Sequence, residues 1–204
     1  SGNTIERNNG GIDASGYDTS FQISDNYITN NGSYGIFQDS GKLNIYGNTI
    51  ATHTSAGLYL QYGTVRLNKI FGNKTGLQLA GQVSVVKNTI SKNNCGIWAD
   101  TSSLPDISQN NLCQNTEYDF YNNSSGSISI PNNWWGTTAA TSIDEKIFDY
   151  YDNFDKGKVS YAPIENSEVE WWNDGSLTIT STPSGALIYL DGNDTGSMTT
   201  QVFT

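Results

Sequence analysis

Asn48-Thr49-Ile50, Asn68-Lys69-Ile70 and Asn88-Thr89-Ile90 are three copies of one small unit: an Asn, a variable residue and an aliphatic. The unit recurs upstream as Asn3-Thr4-Ile5 and Asn26-Tyr27-Ile28, and downstream as Asn110-Asn111-Leu112. A degenerate copy, Asn132-Asn133-Trp134, closes the series. Successive intervals are 23, 22, 20, 20, 22 and 22 residues. A fixed period of this size is the signature of stacked structural repeats.

Two further signals fall inside each period. A Gly followed by an aliphatic runs Gly11-Ile12, Gly35-Ile36, Gly57-Leu58, Gly76-Leu77 and Gly96-Ile97, and the sixth copy is altered to Asp119-Phe120. A short alternating segment follows: Phe21-Gln22-Ile23, Leu43-Asn44-Ile45, Val65-Arg66-Leu67, Val83-Ser84-Val85 and Ile128-Ser129-Ile130, with Asp106-Ile107 as a weaker copy. Each period therefore holds three short strands separated by Gly, Asn, Ser and Asp turns. No single strand can bury its apolar side, but stacked turns bury all of them along one axis. The expectation is an all-β, right-handed, three-faced parallel β-helix of about six rungs. Its inward columns are Ile5, Ile28, Ile50, Ile70, Ile90, Leu112 and Ile12, Ile36, Leu58, Leu77, Ile97, Phe120. The Asn column (Asn3, Asn26, Asn48, Asn68, Asn88, Asn110) is expected at a tight turn, as a structural ladder in which Asn tolerates left-handed φ and bonds its neighbour one rung away.

Composition bounds the partners. The 204 residues carry 10 basic and 20 acidic side chains, a net charge of −10. That disfavours nucleic-acid phosphates and anionic lipid surfaces. No apolar run approaches the roughly 20 residues of a membrane span. Cys95 and Cys113 lie 18 apart, close to one repeat. They fit either a disulfide between adjacent rungs or two separate small core residues, and no His or second Cys stands near either at zinc-ligand spacing.

After Trp134 the repeat stops. Ser142 and Glu145 form a capping-box pattern, and Ile143, Ile147 and Phe148 or Tyr151 follow at helical spacing, predicting a short helix over 143–151. The stretch 134–163 is expected to cap the β-helix, with Trp134 and Trp135 packed beneath. Residues 164–175 read as a linker. Residues 176–204 hold two alternating strands, 176–181 and 186–190, and the turn Asp191-Gly192-Asn193-Asp194, an incomplete, sandwich-like β domain.

Residues 1 to about 163 resemble right-handed parallel β-helix proteins, the superfamily of polysaccharide lyases, glycoside hydrolases and NosD-like surface proteins. The segment Asn132-Asn133-Trp134-Trp135-Gly136-Thr137-Thr138 is similar to the closing motif of many such proteins, as are Ile147-Phe148-Asp149-Tyr150-Tyr151-Asp152, Gly157-Lys158-Val159 and Pro163. Residues 176–204 resemble the first part of a PEGA domain, through Ser181-Thr182-Pro183-Ser184-Gly185-Ala186, Tyr189-Leu190-Asp191-Gly192 and Gly196. The resemblance implies an extracellular or cell-surface module of bacterial or archaeal type, and it leaves the chemistry open.

Strand alternation turns Asp13, Phe37, Tyr59, Gln78 and Trp98 outward on the second face. Phe37, Tyr59 and Trp98 then form an aromatic stripe suited to stacking on sugar rings, with Asp39, Gln61 and Asp100 as hydrogen-bonding neighbours. Rungs spaced by about 4.8 Å match the scale of a sugar unit. A glycoside hydrolase would need two carboxylates about 5–10 Å apart, and neither Asp13 with Asp39 nor Asp100, Asp106 and Asp119 makes a compelling pair. A pectate-type lyase would need a basic residue beside an acidic cluster, which Arg7 and Arg66 do not supply, so no catalytic residues are assigned. His53, the sole histidine, is expected to be a solvated loop residue. Asp149, Asp152 and Asp155, with Asn153, offer hard oxygen ligands for a structural Ca²⁺. Asn-x-Ser/Thr sequons at Asn31, Asn73, Asn122, Asn123 and Asn193 are permissive for glycosylation. The expected function is a structural or adhesive surface module that binds polysaccharide or surface glycans. The alternatives are a polysaccharide-active enzyme and a filament subunit that assembles through open β edges.

Overall fold

The computed structural model describes residues 1–16, 20–170, 177–181, 184–190, 193–199 and 202–203. It divides into two units, Ser1–Val169 and Glu170–Thr204. The first unit is a parallel β-solenoid of about five turns.

The first face is a six-stranded parallel sheet of Thr4–Glu6, Tyr27–Thr29, Thr49–Ala51, Lys69–Phe71, Thr89–Ser91 and Asn111–Cys113, in that order. Its register pairs Ile5, Ile28, Ile50, Ile70, Ile90 and Leu112. From Ile28 onward these side chains are fully buried. The second face stacks Ile12–Asp13, Ile36–Gln38, Ala56–Arg66, Thr75–Val86, Cys95–Ala99, Tyr118–Asn122 and Ile147–Phe148. The expected second column is buried from Ile36 to Phe120, and Ile147 extends it. The third face stacks Ser20–Ser24, Lys42–Tyr46, the far halves of Ala56–Arg66 and Thr75–Val86, and Ile107–Ser108. In the two middle rungs one long strand serves both faces and bends at Gly63 or Gly81. Gly63 has φ +141°, and a Cβ there would sit 2.1 Å from the Leu43 carbonyl oxygen, so only glycine fits the bend.

Both corners of the first face carry a ladder of side-chain amides. In the first, each Asn donates its backbone N–H and its side-chain Nδ2 to the Oδ1 of the Asn one rung on, from Asn3 through Asn26, Asn48, Asn68, Asn88 and Asn110. The final rung is Asn133, which accepts both bonds from Asn110. The closing unit is therefore Asn133-Trp134-Trp135, one residue later than the sequence pattern suggests, and the buried Trp135 follows Leu112 in the core column. The left-handed residue of each turn is the one before the Asn: Gly2, Asp25, Gly47, Leu67, Lys87, Gln109 and Asn132. The Asn is thus needed for its amide, while its predecessor takes the left-handed turn.

The expected helix is displaced. It spans Ala140–Asp144 with Ala139 at its N-cap and no side-chain cap bond. Ile147 and Phe148 continue the second face instead, paired with Phe120 and Tyr121. In a strand, Ile147 enters the core and Phe148 joins the outward aromatic row, and that burial outweighs the local helical pattern. The cysteines are free. Cys113 aligns with Ser91 on the first face, whereas Cys95 aligns with Thr75 and Tyr118 on the second. A corner separates them, so an interval of 18 residues, rather than the 22 from Ser91 to Cys113, leaves the thiols on different faces. Burial pushes the Cys95 thiol up to about 12 and that of Cys113 to about 11, and both stay protonated.

Residues 164–169, expected as linker, pack on the solenoid. The Glu165 N–H donates to the Asn133 carbonyl. The side chain of Asn111, fully buried, donates to the Val169 carbonyl and accepts from the Val169 N–H. Residues 171–175 of the expected linker, and Ser176 of the expected strand that follows, lie outside the described residues.

The second unit contains two antiparallel pairs: Leu177–Thr178 with Val202–Phe203, and Leu187–Leu190 with Asn193–Met198. Asp191 and Gly192 of the expected turn lie outside the described residues. Thr199 Oγ1 accepts from the Gly185 and Ala186 N–H groups and bonds the Ser181 hydroxyl.

Candidate functional site

The outward row of the second face runs Asp13, Phe37, Tyr59, Gln78, Trp98, Tyr121 and Phe148 by strand register. It holds two aromatic stacks interrupted by Gln78. Phe37 and Tyr59 stack at 5.0 Å and 15°, with Tyr34 packed against both at 5.4 and 5.8 Å. Trp98, Tyr121 and Phe148 stack at 3.9 and 4.1 Å, parallel to within 3°. Tyr118 meets both Tyr121 and Phe148 edge-on at 5.5 Å. Every ring in the row is half-buried. Within each stack the ring faces are taken up by neighbours. The Gln78 rung separates the two stacks, so that Tyr59 on one side and Trp98 on the other each have Gln78 as their next neighbour in the row.

Sequence reasoning found Phe37, Tyr59 and Trp98 but missed Tyr34, Tyr118, Tyr121 and Phe148. The repeated Tyr-x-x-aromatic spacing, Tyr34 to Phe37 and Tyr118 to Tyr121, was a usable signal.

Asp100 sits at the edge of this row. Its Oδ1 accepts from Trp98 Nε1 and Asn123 Nδ2 and its Oδ2 from Gln78 Nε2, all at 2.8 Å. Lys156 Nζ bonds Asn123 in turn, tying the cap to the cluster. Both Asp100 oxygens thus serve to orient the Trp98 ring and the Gln78 amide. Asp39 accepts from the Ser40 hydroxyl and lies at the other end of the row. Gln61 meets the strand through its backbone N–H, which donates to the buried Gln38 side chain. The structure therefore groups Trp98 with Asp100, while Asp39 and Gln61 belong to the Phe37–Tyr59 end.

In the cap, Asp149 accepts the Tyr151 N–H at Oδ1 and the Val159 N–H at Oδ2. Asp152 accepts the Asp149 N–H, and Asn153 the Asp155 N–H. These acids hold the loop that carries Tyr151 and Phe154. Among the described residues no group of three or more His, Cys, Asp or Glu side chains is gathered as a metal site.

His53 is only 2% exposed, not solvated. It occupies a rung of the second corner ladder: Asn8, Asn31, His53, Asn73, Asn93, Asn115. Its Nδ1 accepts the Asn31 N–H where an Asn would use Oδ1, and Nε2 faces the Ile28 carbonyl at 3.2 Å, where an Asn would place Nδ2. Neutral imidazole with the proton on Nε2 satisfies both contacts. Asp119 ends this ladder by accepting the Asn115 N–H and Nδ2 on Oδ1. Three of the sequon residues, Asn31, Asn73 and Asn122, are buried with their side-chain amides committed, so an oligosaccharide cannot be attached there in the folded protein. Asn123 lends its amide to Asp100, and the side chain of Asn193 lies outside the description.

Residues 1–134, more than half of the chain, match the family described as "Right handed beta helix region", and residues 174–202 match the PEGA domain. The chain belongs to the right-handed β-helix family. No curated protein and no solved structure matches it. A β-helix region followed by a PEGA domain is consistent with an extracellular surface protein. Among the described residues no helix is long and apolar enough to cross a membrane.

Proposed function

We propose that this chain is a cell-surface adhesive module whose β-helix binds carbohydrate at the Gln78 rung of the second face. The observation that carries the reading is the Trp98 ring, held edge-on by Asp100 and next to Gln78 in the row. Stacking of a sugar ring on an indole and hydrogen bonding of its hydroxyls to fixed amide and carboxylate groups are complementary demands, and Trp98, Gln78 and Asp100 supply both. The groups are held before any ligand arrives, which lowers the ordering cost of binding. The acidic balance of the chain favours neutral over anionic glycans.

A printed glycan array read with the purified chain tests this. The wild type is expected to retain a subset of neutral glycans, and Trp98→Ala to lose them. Retention by Trp98→Ala at wild-type strength, or no retained glycan at all, sinks the assignment.

A further inference from the structure

Lys156, Asn123 and Asp100 meet where the cap joins the last rungs of the second face. Lys156 Nζ donates to Asn123 Oδ1 at 2.7 Å, and Asn123 Nδ2 donates to Asp100 Oδ1 at 2.8 Å. An ammonium only donates and a carboxylate only accepts, so the two partners fix which end of the Asn123 amide faces each. The backbones on either side are fastened as well. The Asn123 N–H donates to the Ala99 carbonyl, and the Gly157 N–H to the Ser124 carbonyl. The buried Asn122 amide reaches the Gly157 carbonyl, and Lys156 Nζ has the Asn123 backbone carbonyl as a second acceptor. Asp100 is itself held by Trp98 Nε1 and Gln78 Nε2. Asn123 and Lys156 are both half-buried. An amine, a carboxamide and a carboxylate on the nitrogen of that carboxamide are thus held within hydrogen-bonding reach of one another. Lys146 makes the contrast: its Nζ meets the backbone carbonyls of Asn115, Thr116 and Glu117 instead.

We propose that these three residues form an intramolecular isopeptide bond between Lys156 Nζ and Asn123 Cγ, with Asp100 as the catalytic residue. Lys156 gives up a proton to water, and the free amine attacks Cγ. In the tetrahedral adduct Asp100 takes a second proton from Nζ and passes it to Nδ2. The carbonyl re-forms, the Cγ–Nδ2 bond breaks, and the departing ammonia takes a proton from water. One alkylammonium and one carboxamide become one secondary amide and one ammonium ion, with no oxidant or reductant. Amides are poor electrophiles, so the step depends on amine and carbonyl being held together, which replaces a bimolecular encounter. One turnover per molecule is enough. The product amide keeps one N–H for Asp100, so the setting of Trp98 survives the reaction. The bond closes a loop between positions 33 apart and fastens the cap to the solenoid. This is where the repeat stops, and the end of a stack of rungs is where it opens most readily.

The test is intact-mass measurement and tryptic mapping of the full 204-residue chain, after incubation at mildly alkaline pH to raise the share of free amine. The chain is expected to be lighter than its sequence by one ammonia. Trypsin should fail to cut after Lys156 and should release one branched species, residues 93–146 joined to residues 147–158. Lys156→Arg should keep its full sequence mass. That separates the cross-link from a cyclic imide at Asn123, which loses the same ammonia without any lysine. Asp100→Asn, which keeps the shape and removes the proton carrier, should cross-link about a hundredfold more slowly. Should either variant fail to fold, the branched peptide of the wild type decides by itself. Full sequence mass in the incubated wild type, ammonia loss without the branched peptide, or an unchanged rate in Asp100→Asn would each overturn the assignment.

Discussion

His53 does the work of an asparagine. Burial lowers its pKa from the usual value of 6.5, because a charged imidazolium would lose solvation and could not accept the Asn31 N–H. The sign follows. Below pH 6.5 the unfolded chain takes up a proton that the folded chain refuses, so stability is full above that pH and falls as the solution is acidified. His53→Asn should therefore gain stability relative to wild type at pH 5 and much less at pH 8, as read from thermal midpoints at the two pH values. Asp119 is shifted in the opposite sense. Burial raises its carboxyl from 3.8 to about 6, against the lowering effect of the Asn115 bonds and Lys146. The unfolded carboxyl ionises near 3.8 and the folded one near 6, so stability is lost as pH rises through that window, by on the order of 3 kcal/mol. Asp119→Asn should raise the urea midpoint at pH 7.5 and have little effect at pH 4. The sequence did carry a sign of this second ladder. Asn8, Asn31, His53, Asn73, Asn93 and Asn115 each fall five residues after a first-ladder Asn. The offset was hidden because one rung is a histidine and because the first ladder's Asn-x-aliphatic unit is the louder pattern.

At the scale of the element, the Gly-aliphatic signal was legible but its cause was not. These glycines start second-face strands at the place where the second ladder presses closest. A Cβ on Gly35 would lie 2.5 Å from the Gly57 carbonyl oxygen and 2.6 Å from His53 Nε2. Gly35→Ala is therefore expected to destabilise the protein by about 2 kcal/mol or more, through overpacking against backbone, as measured by denaturant unfolding. The aromatic stripe was legible only in its upper part. Tyr121 and Phe148 escaped because one follows the altered Asp119-Phe120 repeat and the other was assigned to a helix. Tyr121 is sandwiched between Trp98 and Phe148, and each such pair contributes about 0.5–1.5 kcal/mol beyond burial. Tyr121→Ala should cost more stability than Phe148→Ala, which ends the stack and loses one partner, and should also abolish near-UV dichroism from the stacked rings.

For the whole molecule, the solenoid was readable because every rung repeats the same instruction, so one residue's misreading could not change the fold. The ends were not readable in the same way. The closing unit slipped by one residue because Asn132 and Asn133 are adjacent, and only the Asn110 amide decides between them. The segment 164–169 carries no repeat, yet Asn111 holds Val169 by both its backbone groups. A chain ending after Val169 is expected to keep the thermal midpoint of the solenoid. One ending after Pro163 should melt lower, since it strips the buried Asn111 amide of two partners, each worth about 0.5–1.5 kcal/mol net.

The two corner ladders divide each turn into unequal arcs. The arc across the first face is always five residues, from Asn3 to Asn8 through Asn110 to Asn115. The return arc varies: 18 residues from Asn8 to Asn26, 15 from Asn73 to Asn88 and 18 from Asn115 to Asn133. All the variation in the period is thus absorbed on one side. The first face behaves as a fixed spine, with both margins stitched rung to rung, while the opposite side can lengthen or shorten without disturbing the stack. Any growth of this protein, such as a longer loop beside Trp98, has its natural place there, and a single residue added within the five-residue arc would part both seams at once.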